Sequence, residues 1–336
     1  FVVNENIYLY LLKKRAEISI AKAATVADNA VLDYAITPTA PVSPRKKLTY
    51  IAALLSGIFL SLGYIFIKDF LDDSITSRSQ LETLSDIPVL GIIGHSAAGK
   101  KRNLVVIDNP KSALAESFRS VRTNLQYMAS DVDKKVILVT STISLEGKTF
   151  CAINLAAILA FSGKKVILVG FDLRKPEIQK DFGMTNDDGI SQILIGKATL
   201  DETIKSSKVE NLDILTAGPK PPNPSELIMH PKTKEIIEKL KKKYDYIIID
   251  TPPIGIVTDA LILMGYADIN LYLVRQTYSK KQHIETANQL LKDGTAKNLT
   301  LLLNDTKRDR IYGYGYGYGD RKSTRLNSSH KTISYA

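Results

Sequence analysis

The sequence predicts an α/β fold, a doubly wound and mostly parallel sheet with a phosphate-binding loop, preceded by one transmembrane helix and a helical N-terminal segment. Three observations predict it. The first is KVILVTSTISLEGKTF (135–150), running on into CAINLAAILAFSG. A short β-branched run is followed by a loop, then Gly147-Lys148-Thr149, then an apolar segment long enough for a helix. The second is YDYIIIDTPPIG (244–255), where three isoleucines run into Asp250. The third is LTYIAALLSGIFLSLGYIFI (48–67), twenty residues without a charge.

The 336-residue chain is long enough for two or three structural units, and 44% hydrophobic residues supply a sizeable core. The formal net charge is +10. The basic residues are scattered among acidic ones, which describes a solvated surface, and no nucleic-acid partner is read from them. Cys151 is the single cysteine, so an intramolecular disulfide is excluded, and its place just inside the helix after Thr149 suggests a buried thiol. The chain begins at Phe1 rather than Met and is expected to be a fragment.

Residues 1–47 come first. IYLYLLKKRAEISIAKAA mixes apolar and charged residues without Gly or Pro, which predicts an amphipathic or coiled-coil helix. Pro38, Pro41 and Pro44 then recur every third residue and favour extended chain. The apolar run 48–67 spans roughly 30 Å as a helix, the thickness of a bilayer core. Arg45, Lys46 and Lys47 precede it, and Lys68, Asp69, Asp72 and Asp73 follow. Those local charges would place the N-terminal side in the cytoplasm, whereas an ATP site requires the C-terminal side there. The ATP site is given precedence. Residues 68–105 read as a linker. Within it Gly94 to Lys101 fits GxxxxGK, but Lys101 replaces Ser or Thr and no apolar helix follows, so it is read as an ordinary loop.

From 106 to 305 helix-like and strand-like segments alternate, as in a parallel α/β domain. A helix is predicted over 112–128, with Leu114, Phe118, Val121 and Leu125 on one stripe. Glu116, Arg119 and Arg122 share a broad face away from that stripe, readable equally as a solvated face or a subunit contact. At 142–149 the helix N-terminus and the loop N–H groups suit a phosphate. Lys148 can reach the β- and γ-phosphates, and the Thr149 hydroxyl can bind Mg²⁺. Thr142 replaces the usual first glycine of the pattern, so the motif leans on its context. In KKVILVGFDLRKP, Val166 to Val169 read as a buried strand, and Asp172 lies just past its end, where ligands of open α/β sheets gather. Asp172 can hold Mg²⁺ or its water, or cap a helix; Arg174 can meet a phosphate. PKPPNPSEL is a Pro-rich turn with Ser225 as N-cap. Asp250, ending a buried strand beside the loop, stands where a Walker B acid holds Mg²⁺.

These motifs together resemble the bacterial protein-tyrosine kinases that regulate capsule and exopolysaccharide export, P-loop ATPases related to the MinD/ParA class. STISLEGKT (141–149) resembles their Walker A, ILVGFDLRKP (167–176) their A′ motif and IIIDTPP (247–253) their Walker B. Glu116-x-x-Arg119-x-x-Arg122 matches the motif that joins subunits into a ring. GPKPPNPSEL (218–227) is also family-like, and the region up to the apolar run resembles the end of a periplasmic chain-length determinant domain.

The resemblance implies an autokinase in the bacterial inner membrane with its kinase domain in the cytoplasm. ATP would sit on the loop through Thr142, Ser144, Glu146, Gly147, Lys148, Thr149 and Phe150, with Arg174 nearby. Mg²⁺ would be held by Thr149, Asp172 and Asp250, and Lys148, Asp172 and Asp250 would serve catalysis. The implied partners are further copies of the chain in a ring, phosphorylated in trans, the polysaccharide export machinery, a cognate tyrosine phosphatase and the membrane. The A′ motif departs from the family's pair of acids, because Gly170 stands at the first position and Asp172 at the second. An ATPase switch of the MinD/ParA type and a non-catalytic polysaccharide co-polymerase scaffold are the competing readings.

The tail 306–319 contains Tyr312, Tyr314, Tyr316 and Tyr318 alternating with glycine. Such a segment packs no core. Under the resemblance its tyrosines are the phosphate acceptors. Residues 320–336, DRKSTRLNSSHKTISYA, resemble translated sequencing-adapter read-through and are assigned no function.

Overall fold

The computed structural model describes residues 2–25, 43–96, 104–128 and 135–307. The tail tyrosines, residues 320–336, Pro38 and Pro41, and most of the 94–101 loop lie outside them. Two compact units divide at Leu71/Asp72.

Among the described residues the first unit holds two helices, Val2–Ala24 and Lys46–Phe70. The second contains the apolar run and extends two residues before it and three beyond. Charged ends can prolong such a helix because they sit at headgroup depth. It is long and apolar enough to cross a membrane. None of its side chains is buried in the protein. Its serine hydroxyls are satisfied within the helix: Ser56 donates to the Ala53 carbonyl and Ser61 to those of Gly57 and Ile58. That removes the main cost of polar side chains in lipid.

In the second unit the described residues form an eight-stranded sheet. The strands are β1 Val89–Gly94, β2 Lys135–Ser141, β3 Val166–Gly170, β4 Lys205–Ser206, β5 Leu212–Leu215, β6 Tyr246–Asp250, β7 Ile269–Arg275 and β8 Leu299–Thr306. Their order is β1-β8-β7-β2-β6-β3-β5-β4. Neighbours are parallel except β4, which runs antiparallel to β5. Successive residues of a strand face opposite sides. Ile137 and Val139 therefore enter one core with Phe118 and the helix Lys148–Phe161, while Val136 and Leu138 enter another with Ile236, Leu240 and Ile284. Helices thus cover both faces, which explains why β2 is buried along its whole length and reads as an unbroken apolar run.

The helix Ala113–Met128 buries Leu114, Phe118, Val121 and Leu125, the predicted stripe. On its other side Arg119 donates to Glu116 and, at 2.7 Å, to the Pro110 carbonyl. Arg122 is half-buried.

The linker expected over 68–105 is partly folded. Residues 73–75 pair with 277–281, through Ile75 N–H to the Ser279 carbonyl (2.8 Å), Thr277 N–H to Ile75 (2.8 Å) and Lys281 N–H to Asp73 (3.0 Å). The helix Arg78–Leu84 follows, and then β1, which pairs with β8 from some 200 residues away. VLGIIG is short and mixed, and an edge strand of this kind is decided by its partner rather than by its own propensity. Gly91 lets the helix Ala113–Met128 lie directly on β1, since an added Cβ would come within 2.7 Å of Val121 Cγ2.

Candidate active site

The loop between β2 and the helix Lys148–Phe161 lies where β2 meets β6 and β7, at the strand C-termini that bind ligands in such sheets. Its curvature needs two left-handed residues, Leu145 (φ 68°) and Gly147 (φ 95°). Only Gly fits at 147, because an added Cβ would lie 2.1 Å from Asn304 Nδ2. That amide donates to the Glu146 carbonyl at 2.9 Å. Replacing Gly147 with Ala stores about 1–3 kcal/mol of backbone strain and displaces Asn304. The expected result is an ADP affinity at least about tenfold weaker by calorimetry. An affinity within about twofold of wild type would show that the loop relaxes around the methyl.

Two side chains of the loop, Thr142 and Glu146, turn inward, while Ser144 and Leu145 are exposed. The Glu146 carboxylate is fully buried; it accepts from Ile143 N–H (2.9 Å) and from the Ser279 hydroxyl, with His283 Nδ1 at 3.7 Å. The Thr142 hydroxyl pairs with that of Tyr272, which reaches the His283 carbonyl (2.9 Å). Phe150 packs edge-on against Phe118, centroids 5.9 Å apart. Any contact of Glu146 or Phe150 with a phosphate therefore runs through the main chain. Arg275 Nη1 donates to the Leu145 carbonyl (2.8 Å), and the Tyr278 hydroxyl to that of Ser144 (3.2 Å).

The segment 275–283 and Asn304 thus support the loop from behind. Sequence reasoning missed them, and no local motif marks them, since they are joined to the loop only by the fold.

Three charged groups meet in front of the loop. Lys148 Nζ donates to Ser141 Oγ at 3.1 Å. Burial pushes the Lys148 ammonium below its ordinary value, opposed by the charges of Asp250, Glu146, Asp172 and Glu177. Thr149 Oγ1 donates to Asp250 Oδ2 at 2.7 Å. Burial pushes the Asp250 carboxyl up to about 7, against the pull of that hydroxyl and of Lys148. Its other oxygen, Oδ1, is buried without a hydrogen-bond partner. Asp172 Oδ1 accepts from the N–H groups of Arg174 (3.2 Å) and Lys175 (2.9 Å), which fixes the turn after β3. Burial raises the Asp172 carboxyl too, and those two N–H groups hold it back.

One expectation is corrected, and Arg174 is given a protein partner. Arg174 Nε and Nη2 grip Asp259 at 2.9 and 3.3 Å, and Nη2 also meets Ser225 Oγ at 2.9 Å. Asp259 is fully buried, so a guanidinium is the partner its charge needs. Ser225 is not an N-cap, because the helix Pro224–Met229 begins one residue earlier with Pro at its first position.

Among the described residues no three Asp, Glu, His or Cys side chains form a metal cage. This suits Mg²⁺, which is held by one or two carboxylates with phosphates and waters. Asp250, with its unpartnered oxygen, and Thr149 fit such an ion.

A loop of this build on a parallel sheet, with a lysine, a hydroxyl and a strand-end carboxylate converging on it, defines a P-loop nucleotide-binding domain. Comparison with known proteins narrows the class. The AAA domain family matches residues 134–292, and GNVR, a G-rich domain family, matches residues 1–70. Tyrosine-protein kinase ptk of Acinetobacter johnsonii is 31% identical over 317 residues, covering 91% of this chain and 43% of that protein. The BceF tyrosine kinase domain is 30% identical with a TM-score of 0.63, covering 69% of this chain and 99% of that one. The kinase domain of Escherichia coli tyrosine kinase ETK is 29% identical with a TM-score of 0.66, covering 73% and 99%. The chain belongs to the bacterial tyrosine-protein kinase family. It spans about two-fifths of the length of the curated relatives it matches.

Proposed function

We propose that this chain carries the catalytic part of an ATP-dependent protein-tyrosine autokinase, anchored in the bacterial inner membrane with its kinase domain in the cytoplasm, which regulates the chain length and export of exopolysaccharide or capsule. The observation that carries the reading is the convergence of Lys148, Thr149 and Asp250 on one loop, within a fold shared along its length with two tyrosine kinase domains. The helix Lys46–Phe70 supports the membrane anchor.

In this reading the loop N–H groups and the N-terminus of the helix Lys148–Phe161 cradle the phosphates of ATP. Mg²⁺, when bound, neutralises charge on the β- and γ-phosphates. Thr149 and Asp250 would hold it, directly or through water, with Asp172 bordering the same cleft. Lys148 supplies a desolvated positive charge for the transferring group. The γ-phosphoryl passes to a tyrosine oxygen, ADP leaves and the phenolic proton is released. Phosphoryl transfer depends mainly on positioning and charge stabilisation, so Gly170 in place of an acid is compatible with turnover. The acceptors are Tyr312, Tyr314, Tyr316 and Tyr318 of a neighbouring copy in a ring. Glu116, Arg119 and Arg122 form part of the contact between copies. The export machinery and a cognate tyrosine phosphatase are the further partners.

The test is the full chain in detergent, incubated with ATP and Mg²⁺ and mapped for phosphotyrosine by mass spectrometry. The expected result is phosphate on the residues Tyr312 to Tyr318. Steady ADP release without phosphotyrosine would instead identify an ATPase switch, and ATP bound without either product a scaffold.

A further inference from the structure

The cleft at the C-terminal ends of β3 and β6 is lined by Gly170, Asp172, Glu177, Gln179 and Asp250, among others. Two buried oxygens in its lining lack a partner, Asp250 Oδ1 and Gln179 Oε1. The Gln179 amide has its orientation set by Nε2, which donates to the Pro176 carbonyl at 3.0 Å. A buried oxygen left without a donor is costly, so a pair of them marks a place completed by a ligand. Carboxylate and amide oxygens only accept, and the complement of such a wall is a hydrated hard cation.

β3 itself has no acid beside Asp250, and a side chain there would be tight. Gly170 is in register with Asp250. A Cβ there would lie 3.2 Å from the Ala217 nitrogen and 3.3 Å from Ile178 Cδ1. Another carboxylate bordering the same cleft is that of Glu177. Glu177 immediately precedes the helix Ile178–Phe182 and its side chain is 40% exposed. Its ion pair is with Lys175, at 3.1 Å, which is 70% exposed. Exposed pairs of this kind contribute little and exchange freely with water. Glu177 borders the cleft together with Asp172 and Asp250.

We propose that Glu177 is an outer-sphere ligand of the nucleotide-bound divalent cation, accepting hydrogen bonds from its waters across the cleft from Asp250. The proposal rests on the ATP-binding reading above.

The experiment measures two affinities on the full chain in detergent: ADP without metal by calorimetry, and Mn²⁺ for the ADP complex by electron paramagnetic resonance. Outer-shell partners typically change metal affinity about 10–100-fold. For Glu177→Gln the expected result is Mn²⁺ binding weakened about tenfold, with metal-free ADP affinity within about twofold of wild type. Lys175→Ala, which breaks the ion pair and keeps the carboxylate, is expected to leave Mn²⁺ affinity unchanged. Equal losses in the two variants would reduce Glu177 to a partner of Lys175 and overturn the proposal. Unchanged Mn²⁺ binding in Glu177→Gln overturns it while leaving the nucleotide site standing. Wild-type protein that binds no ADP removes the reading and the proposal together.

Discussion

Replacing Lys148 with Met is expected to remove phosphotyrosine formation, by about 10²–10³-fold or more, without destabilising the domain. The residue is 8% exposed and its ammonium donates to Ser141 Oγ. Burial desolvates its charge and pushes the ammonium below its ordinary value. Desolvation costs stability that the nearby acids only partly return. A preorganised charge in a dry site is the arrangement that stabilises charge developing on a transferring phosphoryl group. Met keeps the length of the aliphatic stem and drops the charge, so it separates chemistry from packing. The measurements are phosphotyrosine by mass spectrometry and a thermal melt. Retained phosphotyrosine would sink the assignment, and a melt lowered by many degrees would mean that Lys148 holds the loop together.

Asp250→Asn is expected to remove one component of the pH dependence of stability in the nucleotide-free, chelated protein. In wild type the folded-state value is about 7, above the ordinary 3.8. Between those values the folded state binds the extra proton. The carboxyl's contribution is therefore fully present below about pH 4 and lost as pH rises to about 7. The shift corresponds to about 4 kcal/mol between the two limits, an order-of-magnitude figure. Asn has no such titration. The melting temperature of the variant should gain on wild type between pH 4 and pH 8, by on the order of 10 °C for a domain of this size. A difference that stays flat with pH would show that Asp250 is already ionised at low pH, or that water reaches Oδ1. Because Asp250 also fits the metal, the variant should lose the Mg²⁺ dependence of nucleotide binding in the same preparation.

Much of the site was legible in the residues. A fully buried parallel strand must be an apolar run, so VILV and YIIID announced β2 and β6. Gly147-Lys148-Thr149 at a strand-to-helix junction announced the loop, and the structure places Thr149 against Asp250. The roles of Glu146, Thr142 and Arg174 were not legible. A short polar or charged side chain in a loop can face ligand or protein, and its neighbours choose between them. For Arg174 the choice was made by Asp259, a buried charge 85 residues away.

The sequence by itself determined the apolar helix, the central strands and the phosphate loop, because each is encoded in local periodicity and in a residue type that one backbone conformation requires. Only the tertiary structure decided that residues 73–94 belong to the folded unit, that 275–283 and Asn304 support the loop, and that Gly170, Glu177 and Gln179 border one cleft with Asp250. Those contacts join segments far apart in the chain, and their stability comes from burial and hydrogen bonding that exist only once the sheet has assembled.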